Sequence, residues 1–122
     1  MTEELLQIAQ FIKDTKPSDL IGEMEDNLFK ATGYAQRIGE LLNTAEYSYS
    51  VNKMKNLEKL ESMEEETETT RKAKLDSWSA EDKKLVSDLK NLKTNLRTIQ
   101  MSLMQSIKTR RDEYQSINGG RK

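Results

Sequence analysis

Apolar residues recur at Leu85, Leu89, Leu92, Leu96, Ile99, Leu103, Ile107, Tyr114 and Ile117. Up to Leu103 the steps alternate between four and three, which lays one apolar stripe along a helix and calls for a helical partner. Beyond it, Ile107 and Tyr114 stand eleven residues from Leu96 and Leu103, a spacing that relaxes a left-handed supercoil. A second seam runs through Met24, Leu28, Ala31, Ala35, Ile38, Leu42, Ala45, Tyr49, Asn52 and Asn56. Two such seams predict two long helices, over about 19–63 and about 80–117. A third, shorter face of Leu5, Ile8, Ala9 and Ile12 predicts an amphipathic helix over 2–14.

Boundary residues support this division. Pro17 biases Lys16 away from the helical region, and Ser18 is a natural N-cap for the next helix. Ser79 and Asp82 approximate a capping box, with Trp78 placed to fold over the first turn onto Lys83 or Val86. Asn118, Gly119 and Gly120 are expected to end the last helix and leave 118–122 as a flexible tail. Between the long helices, residues 61–70 hold five glutamates and three threonines, the composition of an exposed bend. A cation site there would lack the Asp/Asn spacing and turn glycine of a calcium loop. Gly33 and Gly39 beside the first seam suggest close approach of a neighbouring backbone, against a helix-propensity cost of about 1 kcal/mol each.

The expected fold is therefore all-α: a short N-terminal helix followed by a long antiparallel α-hairpin in a single domain, 1–117. With the bend near residue 70, Tyr49 would face Asn91 and Ile38 would face Ser102. A hairpin has a thin core, and Val86, Met101 and Met104 widen the apolar stripe of the last helix beyond what one partner covers. An oligomeric helical bundle follows as the expectation, a homodimer first, with Leu96, Ile99, Leu103 and Met104 as the self-association stripe. The alternative cover for that stripe is the N-terminal helix folded back over it.

Composition removes whole classes of chemistry. The chain has no cysteine and no histidine. Disulfides, thiolate nucleophiles, Ser-His-Asp triads, imidazole-bound zinc and Glu-x-x-His di-metal bundles are excluded. Adjacent carboxylates such as Glu25 with Asp26 point to different helix sectors and make no poised acid and base. No enzymatic activity, cofactor or metal is expected. The opening "MTEELLQIAQFIKDTK" has acidic residues where a signal peptide would be basic, so none is expected there, and no run approaches the ~20 apolar residues of a membrane span. The expected location is the cytoplasm, with no membrane partner.

Charge is unevenly spread, with 7 Lys/Arg against 15 Asp/Glu in residues 1–70 and 13 against 6 in residues 71–122. The two ends can attract one another, or the basic end can meet a phosphate or an acidic partner. Two clusters are candidate ligand or partner sites. The first is Tyr47, Tyr49 and Lys53 in "AEYSYSVNKMK", where a tyrosine could pack in the seam or stack on a base. The second is Lys108, Arg110 and Arg111, expected opposite residues 29–32 with Glu25, Asp26 and Tyr34 nearby. A salt bridge to Asp26 is its structural alternative.

The segments "LLNTAEYSYSVNKMK" and "LRTIQMSLMQSIKTRRDE", with Leu96, Arg97 and Ser102 in the second, resemble small helical accessory proteins of bacteriophages over about residues 38–113. The resemblance implies a counter-defence role in the host cytoplasm, exercised by binding a host defence protein or sequestering its nucleotide signal. A helical interaction protein blocking a host macromolecule is the first expectation. A nucleotide-sequestering oligomer and a single-stranded nucleic-acid or recombination accessory protein are the alternatives.

Overall fold

The structure, a computed structural model, describes residues 2–62 and 67–119. Three helices account for nearly all of them: α1 (Glu3–Asp14), α2 (Ile21–Glu61) and α3 (Glu68–Gly119). There is no strand among the described residues. The Thr2 hydroxyl accepts from the Leu5 N–H and caps α1. Glu3 and Glu4 then complement the positive end of the helix. Thr15 is extended and closes the helix by donating its N–H to the Phe11 carbonyl at 3.0 Å. The Ser18 hydroxyl accepts from the Leu20 N–H at 3.3 Å, so it turns the chain ahead of α2 and Leu20 makes the first helical contact, its carbonyl accepting from the Met24 N–H.

The largest departure from expectation is the start of α3, twelve residues earlier than 80. Ser79 and Trp78 lie inside the helix, so neither the capping box nor the staple forms. The Thr67 hydroxyl accepts from the Thr70 N–H at 3.2 Å, and the Thr67 carbonyl accepts from the Arg71 N–H at 2.9 Å. The N-cap is thus Thr67. Upstream of Leu89 the seam shifts phase, running through Leu75, Ser79, Asp82 and Val86 and leaving the expected Leu85 41% exposed, and small and polar residues occupy two of these positions. Residues 63–66, which include the expected end of α2 and most of the glutamate run, lie outside the described residues, as do 120–122 of the expected tail. Asn118 and Gly119 still belong to α3.

The described chain divides into two compact units: Met1–Ile38 with Leu92–Lys122, and Gly39–Asn91. In unit 1, Met24, Leu103 and Ile107 form a buried cluster, with Ile21, Leu28 and Ile99 packed against it. Leu5, Ile8, Ala31, Ile38, Leu92 and Leu96 are also buried. The first segment of α2 runs opposite to α3, since Glu25 pairs with Arg111 at 2.5 Å and Gln100 donates to Thr32 at 3.2 Å. That register is displaced by roughly a helical turn from the expected one, because the bend precedes residue 68 rather than lying near 70. α1 lies on α2, where the Phe11 ring meets Tyr34 edge-on at 5.0 Å and Arg37 grips Glu4 at 2.6 Å. The hydrogen bond from Arg37 holds the exposed Glu4 carboxyl below its ordinary pKa.

In unit 2, Leu42, Ala45, Leu60, Leu89 and Ser79 are buried. The polar seam residue Asn52 finds its reason here: its amide donates to the Asp82 carboxylate at 3.1 Å. Lys90 approaches Glu46 at 4.0 Å, and the Lys59 ammonium lies 4.5 Å from the centre of the half-buried Trp78 ring. Trp78 therefore packs under a cation from α2 and not over Lys83 and Val86.

Close backbone packing does not explain Gly33 and Gly39. A Cβ added at either would meet nothing within 4 Å. Alanine at each position should therefore stabilise the protein by about 1 kcal/mol, the helix-propensity difference between the two residues. Urea unfolding checks this; a lower midpoint for Gly33→Ala would show that the bare backbone is needed there.

Candidate interaction surface

The tyrosine cluster is not assembled. Tyr47 is exposed, while Tyr49, two residues on, points to another side of α2 and is half-buried. Tyr49 lines a shallow depression of about 350 Å³ in unit 2 with Lys83, Val86, Ser87, Lys90 and Asn91. Both lysines already have carboxylate neighbours, Asp76 at 3.6 Å from Lys83 and Glu46 at 4.0 Å from Lys90. Lys53 is exposed and does not line that depression.

The basic cluster is mostly occupied from within. Arg110 pairs with Asp19 and, at 3.6 Å, with Glu113. Arg111 pairs with Glu25, so the acidic partners are Asp19 and Glu25 rather than Asp26. Lys108 makes no ion pair among the described residues. Replacing Arg110 and Arg111 with glutamine should cost only ~0–1 kcal/mol per exposed pair, less as salt rises. Thermal melts at low and high salt check this, and a large salt-independent loss would mean the arginines act through packing.

The expected self-association stripe divides in the same way. Leu96 and Leu103 are 0% and 1% exposed within unit 1, and Ile99 packs against the same cluster, so these three are spent on the fold. Met104 remains 57% exposed, together with Met101 at 62%.

What unit 1 leaves open is one flank of the α2–α3 pair. On the other flank the connector before α2 runs beside α3, where Pro17, Ser18 and Asp19 share a depression with Gln105, Ser106, Thr109 and Arg110. The open flank has a depression of about 340 Å³ bordered by Leu28, Met104, Ile107, Lys108 and Arg111, with the carboxylate Asp112 and Gln115 at its edge. Phe29, beside Leu28, is 80% exposed. Along α3, Lys93, Arg97, Met101, Met104, Lys108, Arg111 and Gln115 follow steps of four and three, so they share a face. Residues 92–111 carry five cations and no carboxylate. Lys93, Arg97 and Lys108 make no ion pair among the described residues.

Phe29, Lys93 and Arg97 are absent from the clusters picked out in the sequence, and Met101 entered only as a widening of the stripe. A signal was present: the acid-free interval between Asp88 and Asp112, with its second heptad stripe beside the apolar one. The denser basic triplet of Lys108, Arg110 and Arg111 outweighs it in the sequence, although both arginines pair with carboxylates in the fold.

Among the described residues, no group of three or more metal-ligating side chains could hold a metal ion. No helix is long and apolar enough among them to cross a membrane. No protein-family model, curated protein or solved structure matches the chain.

Proposed function

We propose that this chain is a non-enzymatic helical interaction protein that binds another protein through the open flank of unit 1. In this reading α2 and α3 form one antiparallel hairpin that supports the surface, and α1 braces the opposite flank. The observation that carries it is the coincidence, on one flank, of Lys93, Arg97 and Lys108, which make no ion pair among the described residues, with exposed Met101 and Met104 and, next to Leu28 in the chain, exposed Phe29. Exposed aromatic and methionine side chains supply apolar contact area that adapts to a partner, and cations beside them select its charge. A nucleotide-sequestering role has less support, because the depression lined by Tyr49 is shallow and its lysines face carboxylates. The phage counter-defence role rests on the sequence resemblance alone and would make the partner a host protein.

The test is co-purification of a stoichiometric partner from cells of the native source, using wild type and Met101→Glu/Met104→Glu. Both methionines are exposed, so the double variant should fold normally. It should recover at least tenfold less partner. Recovery equal to wild type would place binding elsewhere.

A further inference from the structure

The open flank has a charge order as well as a charge sign. Lys93 and Arg97 lie at one end of the stripe, Met101 and Met104 in the middle, and Lys108 and Arg111 at the other end. At 1.5 Å per residue, Lys93 and Lys108 stand roughly 22 Å apart along α3. Arg111 already holds Glu25, whereas the other three cations have no carboxylate among the described residues.

We infer that the occupant of this flank is an acidic amphipathic helix of a partner protein, about 15–18 residues long by the helical rise, with carboxylates towards both ends and an apolar centre. This inference rests on the protein-binding reading above. A helix is the shape that a trough between two helices accepts, and apolar residues at i, i+3, i+4 and i+7 would meet Leu28, Met101 and Met104. Unit 1 already displays this mode of recognition on its other side. There α1, a twelve-residue amphipathic helix, buries Leu5 and Ile8, sets Phe11 against Tyr34 and anchors Glu4 on Arg37. The open flank offers the same ingredients in unpaired form: apolar side chains between cations.

A single-stranded nucleic acid fits less well. Such strands are held by successive aromatic platforms beside a cationic track, and here the centre of the track is methionine, with no aromatic side chain lining the depression among the described residues. Lys93, Arg97 and Lys108 also interrupt their track by ten residues between Arg97 and Lys108.

The experiment is selection of a displayed library of 20-residue helical peptides on the intact immobilised protein, followed by affinity measurement on wild type and on Lys93→Glu/Arg97→Glu/Lys108→Glu. Thermal melting confirms that this variant is folded; if it is not, Lys93→Gln/Arg97→Gln/Lys108→Gln replaces it. Selected peptides should carry Asp or Glu on both sides of an apolar stripe, bind more weakly as salt rises and lose at least tenfold in affinity to the folded variant. Variant-sensitive peptides that are neutral or basic would overturn the acidic-helix inference and leave the docking surface standing. Acidic peptides that bind the variant as well as wild type would overturn the surface itself. Recovery of no helical binder would also overturn the inference. So would a 20-nucleotide single strand that binds wild type more tightly than any selected peptide and loses its affinity for the variant. A wild-type dimer that the same substitutions dissociate would assign the flank to a second copy of the chain instead.

Discussion

Replacing Leu103 with alanine should lower the unfolding free energy by about 2–5 kcal/mol, the cost of deleting a buried leucine and leaving a cavity. Leu103 is 1% exposed and belongs to the cluster that joins Met24 of α2 to Ile107 of α3. Its neighbours are carried on long helices, so they can close only partly over the space. Met101→Ala, two residues away but 62% exposed, should change stability by less than about 0.5 kcal/mol. Chemical denaturation of the two variants measures the contrast directly. Equal losses would mean that the apolar stripe faces a different partner from the one described.

Ala80→Pro should be at least as damaging, at about 3 kcal/mol or more, because proline inside a helix removes a backbone donor and collides with the carbonyl four residues before it. The prediction separates two readings of one stretch. Had Ser79 capped a helix, Ala80 would occupy the first helical position, where proline is favoured. In the structure α3 begins at Glu68 and passes through Ser79 without interruption. A loss of helical circular dichroism and a fall in melting temperature are expected. A variant as stable as wild type would restore the helix start at Ser79.

These two positions show what the sequence could and could not disclose. Leu89, Leu92, Leu96 and Leu103 were legible as a buried stripe because leucine at alternating steps of four and three has no other economical use, and all four are buried. The first twelve residues of α3 were not legible. There the seam passes through Ser79 and Asp82, and a serine followed by an acid three residues later also reads as a helix start. Only the partner side chain resolves the ambiguity, since Asn52 of α2 accounts for Asp82. Gly33 and Gly39 misled in a related way. A glycine in a helix suggests a close neighbour, yet open space surrounds both positions.

The candidate surface was half legible for an electrostatic reason. Lys108, Arg110 and Arg111 stand out as the densest basic triplet, but density in sequence says nothing about which cations the fold neutralises. Asp19, in the connector before α2, and Glu25, in its first turns, reach Arg110 and Arg111 from far away in sequence. The cations left over, Lys93, Arg97 and Lys108, are spread along one face and become a group only when α3 is seen as a continuous helix. Phe29 carries no periodic signal at all, since it stands off the seam beside Leu28.

The central claim is that a partner protein docks on the open flank of unit 1 and not on the flank that carries the connector before α2. Site-specific photo-cross-linking tests it most directly. A photoreactive residue is placed in turn at Met104, on the open flank, and at exposed Thr109, beside the connector. In cells of the native source, the account predicts a discrete stoichiometric cross-link from position 104 and none from position 109. Cross-links from 109 alone, or equal cross-links from both positions, would contradict it.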